Sequence, residues 1–188
     1  MKKKAKAFAR AISLYDIDTQ YFSSLGVKAL VCDLDQTLDS PFAKTPSRQA
    51  KEFKRSLDER GIKLIILSNN FKKRVKSYAQ VLGVTYLPFS LKYFKFRISS
   101  FLEKQGLKPE DVIFVGDQLL TDGRYTSKLN GRLILTKPLT KEDNLFTRVF
   151  RKLDNRLQKK YEQQNRLGPD ISASRSKGEN YVLQEKQN

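Results

Sequence analysis

Residues 29–38, Ala29-Leu30-Val31-Cys32-Asp33-Leu34-Asp35-Gln36-Thr37-Leu38, join an apolar run to two carboxylates and a hydroxyl. A charged side chain is costly to bury without a partner, so acids placed directly after such a run mark a strand leaving its sheet at a reactive or metal-binding edge. The stretch predicts a buried strand with aspartate chemistry at its carboxyl end.

Similar apolar runs recur at 63–67, 84–87, 112–115 and 132–135, each rich in Val, Ile, Leu or Tyr. Amphipathic stretches at 47–60, 72–82, 94–105 and 121–129 alternate with them, and Gly61, Gly83, Gly106 and Gly131 follow as helix stops. This alternation predicts an α/β fold: a parallel sheet of about five strands with helices on both faces.

In such sheets ligands bind beyond the carboxyl ends of the strands. There the sequence places Asp33 and Asp35, then Ser68-Asn69-Asn70, then Lys92, then Gly116-Asp117-Gln118 with Asp122 close behind. The set suits phosphoryl transfer to an aspartate. Asp33 is the candidate nucleophile, and a divalent cation, Mg²⁺ by preference for an all-oxygen site, would offset its repulsion of a phosphate. Asp117 is the natural second metal ligand, and Asp35 the acid and base for the leaving oxygen and the water. Ser68, Lys92 and, as a further donor, Asn69 would hold the phosphoryl oxygens. Thr37 fits a turn-stabilising role better than bond breaking. A calcium loop starting at Asp33 is a poor alternative, because Thr37 and Leu38 stand where an acid or amide and then a glycine are needed.

Composition removes other chemistries. The 188 residues suffice for one domain with a core, and the absence of histidine excludes Ser-His hydrolases and His-ligated zinc. The single cysteine, Cys32, lies in the apolar run and forms no intrachain disulfide, which fits a reduced, cytoplasmic setting. No stretch reaches the roughly 20 apolar residues of a membrane span, so a soluble or peripheral protein is expected. The formal net charge of +17 favours anionic partners, a membrane surface first and nucleic acid second.

Taken together, Asp33-Leu34-Asp35-Gln36-Thr37-Leu38, Ser68-Asn69-Asn70, the lysine after the third strand and Gly116-Asp117-Gln118-Leu119-Leu120-Thr121-Asp122 resemble the haloacid dehalogenase (HAD) superfamily of phosphatases. Tyr15-Asp16-Ile17-Asp18 leading to Gly26-Val27-Lys28, with the Gly-Asp-Gln form of the last motif, is similar to the YqeG branch of subfamily IIIA. The resemblance covers roughly residues 10 to 160. It implies a Rossmann-like fold, Mg²⁺ dependence and, as substrate, phosphatidylglycerophosphate. By the same resemblance Asp33, Asp35 (through its carbonyl) and Asp117 hold the metal, Asp33 is nucleophile, Asp35 is acid/base, and Ser68 and Lys92 hold phosphate. Asp122 would support the metal site or the loop. Tyr93 stands where the family commonly has proline, which leaves Lys95 competing with Lys92, and Gln36 replaces a frequent asparagine.

Only 29 residues separate Leu38 from Ser68 and 21 separate Asn70 from Lys92, too few for a cap domain. An open site admits phosphate on a bulky partner. The flanks divide the chain further: a basic amphipathic segment over 1–24, the catalytic domain over 25–140, a basic amphipathic helix over 141–166 and a disordered polar tail over 167–188. Lys2, Lys3, Lys4, Lys6 and Arg10 with Phe8, Ile12 and Tyr15 would form a cation-bordered apolar stripe on a helix. Leu145, Val149, Leu153, Leu157 and Tyr161 recur every four residues amid Arg and Lys, and suit either a bilayer surface or the sheet. The first functional expectation is a phosphatase acting on a phospholipid headgroup. The alternatives are a phosphatase for soluble or nucleic-acid phosphomonoesters, and a basic RNA-binding protein on the same scaffold.

Overall fold

A computed structural model of the chain describes residues 6–68, 72–88, 95–140 and 145–172. Six strands form one parallel sheet: β1 (Ala9–Ala11), β2 (Ala29–Cys32), β3 (Lys63–Ser68), β4 (Thr85–Pro88), β5 (Val112–Gly116) and β6 (Arg132–Thr136). Their spatial order is β1-β6-β5-β2-β3-β4. The strand that carries the first motif thus lies in the middle, between β5 and β3.

Side-chain alternation along the strands divides the core in two. Leu30, Cys32, Leu64, Ile66, Ile113 and Val115 face one layer with Phe22, Phe53, Leu57, Val75 and Tyr78. These come from α1 (Thr19–Ser24), α2 (Arg48–Asp58) and α3 (Lys72–Leu82). Ala29, Val31, Ile65, Leu67, Val112 and Phe114 face the other layer with Ile98, Leu102, Tyr125 and Tyr161. Those belong to α4 (Lys95–Lys104), α5 (Arg124–Lys128) and α6 (Leu145–Gln163). Burial on both faces explains why the central strands read as continuous apolar runs. Gly83 ends α3 in the left-handed conformation, φ +71°, which costs a glycine little.

The parallel sheet is the one expected, with six strands where about five were counted; the additional strand lies in the basic N-terminal segment, whose amphipathic stripe was placed on a helix. Residues 9–11 pair with β6, Ala9 opposite Ile134 and Ala11 opposite Thr136. Alanine favours helix when isolated, but here Ala7, Ala9 and Ala11 are buried against the sheet, and tertiary packing overrides that propensity. The polar tail also begins later than expected. Arg10 N donates to Pro169 O and Ile171 N to Arg10 O, both at 2.9 Å, so residues 169–171 cover the open edge of β1. An uncovered edge strand would present unpaired backbone groups, and Leu167 and Ile171 add apolar contacts that hold the strap in place. Residues 173–188 lie outside the described residues. Among the described residues, no helix is long and apolar enough to cross a membrane.

Candidate active site

The parallel register sets Cys32 level with Ile66 and Val115, so the next residues of β2, β3 and β5 emerge together at the carboxyl edge. Asp33 N donates to Val115 O at 2.9 Å, which ties the first motif to the strand that delivers Asp117. Past β5 the chain makes a π-helical turn over Leu119–Gly123. Such wide turns are rare and recur at functional sites. Here the turn folds Asp122 back over the strand end, where its Oδ2 accepts from Gln118 N at 3.1 Å. Gly116 makes that return possible: a Cβ at this position would stand 2.7 Å from the Asp122 Cβ and closer still to its carboxylate.

Asp33, Asp117 and Asp122 are all buried, and each offers a carboxylate oxygen within 4.8 Å of the others. Three like charges so close repel one another unless cations offset them. One offset is built in. Arg151 of α6 places Nη1 2.7 Å from Asp117 Oδ2. The all-oxygen donor set fits a hard divalent cation as a further offset.

The remaining expected residues divide clearly. Asp35 lies beside this trio but not in it; Arg74 of α3 pairs with its Oδ1 at 2.6 Å. Arg74 also donates to Ser40 O and Ala43 O at 3.2 and 3.3 Å, fixing the loop after the first motif. Ser68 is buried at the end of β3. Asn69 and Lys92 lie outside the described residues, and so does the side chain of Lys95.

Gln36 sits in the left-handed region at φ +67°, where asparagine is easier to accommodate than glutamine. Its longer side chain compensates by accepting from Thr140 N at 2.8 Å, tying the first motif to the chain after β6. Nearby, the buried Asp39 accepts from Tyr78 Oη and Ser47 N, both at 2.8 Å. Burial, with Asp39 close by, pushes the Tyr78 phenol far above its ordinary value, so it stays a donor.

The interactions through α6 were not expected. Besides Arg151, Asp154 accepts from Leu119 N at 3.2 Å and Leu120 N at 2.6 Å. Gln158 Nε2 donates to Asp117 O at 3.2 Å and Asp154 Oδ2 at 2.6 Å. Burial raises the Asp154 pKa, opposed by the three hydrogen bonds it accepts. Positions 151, 154 and 158 share one helix face, so α6 presents a polar ladder to the loop after β5. Tyr161 is buried and Leu157 half-buried, but Leu153 of the expected apolar stripe is exposed. The lone acid between Arg151 and Lys160 was the available signal: an aspartate in a basic helix had a partner elsewhere.

A Bacillus subtilis (strain 168) protein described as "Probable phosphatase YqeG" is 32% identical over 148 residues, which cover 77% of this chain and 84% of that protein. The chain belongs to the YqeG family of HAD-superfamily phosphatases. No family model matches it. Among solved structures, an uncharacterized protein from Listeria monocytogenes serotype 4b shares the HAD-like α/β fold, with a TM-score of 0.50 and 16% identity over 63% of this chain and 85% of that one. The 3-deoxy-D-manno-octulosonate 8-phosphate phosphatase of Moraxella catarrhalis, solved with magnesium, phosphate and its sugar, gives a TM-score of 0.47 and 18% identity over 63% of this chain and 81% of that one. This YqeG-family chain carries its acids at the carboxyl edge of a parallel sheet.

Asp154→Ala tests the ladder. It leaves the amides of Leu119 and Leu120 without their carboxylate, at an expected cost of about 2 to 3 kcal/mol in urea unfolding. A loss below about 0.5 kcal/mol, the ordinary surface range, would show that α6 does not brace the loop.

Proposed function

We propose that the chain is a Mg²⁺-dependent phosphomonoester hydrolase that works through an aspartyl phosphate on Asp33. The buried trio of Asp33, Asp117 and Asp122 beside Asp35 carries this reading. Asp33, Asp117 and Asp122, with the Asp35 carbonyl, would hold the metal, which supplies charge neutralisation between carboxylate and phosphate. A carboxylate oxygen of Asp33 attacks phosphorus as the ester bond breaks, and Asp35 gives its proton to the departing oxygen. Asp35 then takes a proton from water, whose oxygen attacks phosphorus and frees Asp33 and inorganic phosphate. Arg74 keeps the Asp35 carboxyl aimed throughout. Ser68 and Lys92 hold the phosphoryl oxygens, and Asn69 donates beside them.

The substrate in this reading is phosphatidylglycerophosphate, met at an anionic membrane surface. Three observations support it. The connections after β2 and β3, residues 33–47 and 69–71, are too short to hold a lid of domain size. Phe42, Phe96 and Phe150 are all more than half exposed. They ride on the loop after β2, the start of α4 and the first half of α6, all at the carboxyl edge. Lys152, Arg156, Lys159 and Lys160 are exposed along α6. Aromatics between cations around an open mouth suit headgroups on an anionic bilayer.

Asp33→Asn should lower turnover by about 10⁴-fold with folding intact; turnover equal to the wild type would remove Asp33 as nucleophile. Offered phosphatidylglycerophosphate in anionic vesicles beside soluble phosphomonoesters, the protein should prefer the lipid. Preference for any soluble ester would overturn the substrate assignment and leave the hydrolase reading in place.

A further inference from the structure

Arg151 enters the acid cluster from outside every motif that carries the chemistry. Its guanidinium is 2.7 Å from Asp117 Oδ2, with the Arg151 side chain 13% exposed and that of Asp117 only 1%. The arginine therefore reaches a fully buried carboxylate of the acid cluster while keeping part of its own side chain in contact with solvent. Its helix does not need that ion pair to stay docked, because Asp154 and Gln158 bind the same loop independently.

Asp33, Asp117 and Asp122 carry three formal negative charges, and Arg151 offsets one. A divalent cation entering the trio must share Asp117 with the guanidinium already on it, and two cations on one buried carboxylate repel each other strongly. The planar fork that matches a carboxylate matches a phosphate equally well, and a few side-chain rotations suffice to move it.

Resting on the metal-dependent reading above, we propose that Arg151 exchanges partners: it is the resident counter-cation of Asp117 before metal arrives, and a phosphate-binding residue of the substrate afterwards. Its removal thus has opposite effects on two ligands. Metal binding gains, because a competitor is gone. Phosphate binding loses, because a donor fork is gone. A purely structural role for Arg151 would instead weaken both, since a disordered loop holds neither.

The test is calorimetric titration of the full-length protein with Mn²⁺, then with inorganic phosphate at saturating Mn²⁺, for the wild type, Arg151→Met and Arg151→Lys. Arg151→Met should bind Mn²⁺ about 10-fold tighter and phosphate about 10-fold or more weaker. Arg151→Lys should keep Mn²⁺ affinity near that of the wild type and recover part of the phosphate affinity. Should Arg151→Met not fold, Arg151→Gln carries the same two expectations. Mn²⁺ affinity that is unchanged or falls in the neutral variant, or phosphate affinity that does not fall, would overturn the exchange. Wild-type protein that binds no Mn²⁺ would overturn the metal-dependent reading itself, and the exchange with it.

Discussion

Three carboxylates share one buried pocket at the end of the central strands, and their mutual repulsion is the constraint to which the surrounding structure answers. Left alone, such a cluster would favour local unfolding. The fold offsets it in stages. β5 and its π-helical turn bring Asp117 and Asp122 round to Asp33, Gly116 leaves room for the return, and α6 supplies a guanidinium and a ladder of polar side chains that fix the turn. A second arginine, Arg74, does the same for Asp35 from the opposite helical layer. Asp117 and Asp35 are thereby each held by an arginine from a different part of the chain.

This places α6 in direct contact with the acid cluster and its loop. A helix of this composition reads as a basic surface element, and its outward face, with Phe150, Leu153 and the lysines, keeps that character. Its inward face contacts the loop that carries Asp117.

The sheet was legible because its central strands are buried on both faces and so read as unbroken apolar runs ending in functional residues; the register then brings those ends level. β1 was not legible. Its three residues are short, alanine-rich and basic, and only pairing with β6 and the strap over 169–171 makes them a strand. At the site, Asp33 and Asp117 were visible from their position after strands. Asp122 was seen as a supporting acid, but its place in the trio depends on a π-helical turn that no local pattern announces. Arg74 and Arg151 were hidden for a different reason: each reaches its acid across more than 30 residues of chain, and the helix faces that bear them look solvated until the partner is known.

The buried acid trio lies at the carboxyl edge of the sheet, and a basic helix and exposed aromatic residues flank it. The proposed hydrolase mechanism requires the carboxylates of residues 33, 117 and 122 to converge on a single cation so that an Asp33 oxygen can bond to phosphorus. A crystal structure grown with Mg²⁺ and beryllium trifluoride, which mimics an acyl phosphate, tests this most directly. The expected result is beryllium bonded to the Asp33 carboxylate, with one Mg²⁺ shared by all three aspartates. Beryllium bonded elsewhere, or a cation that touches none of the three, would contradict it.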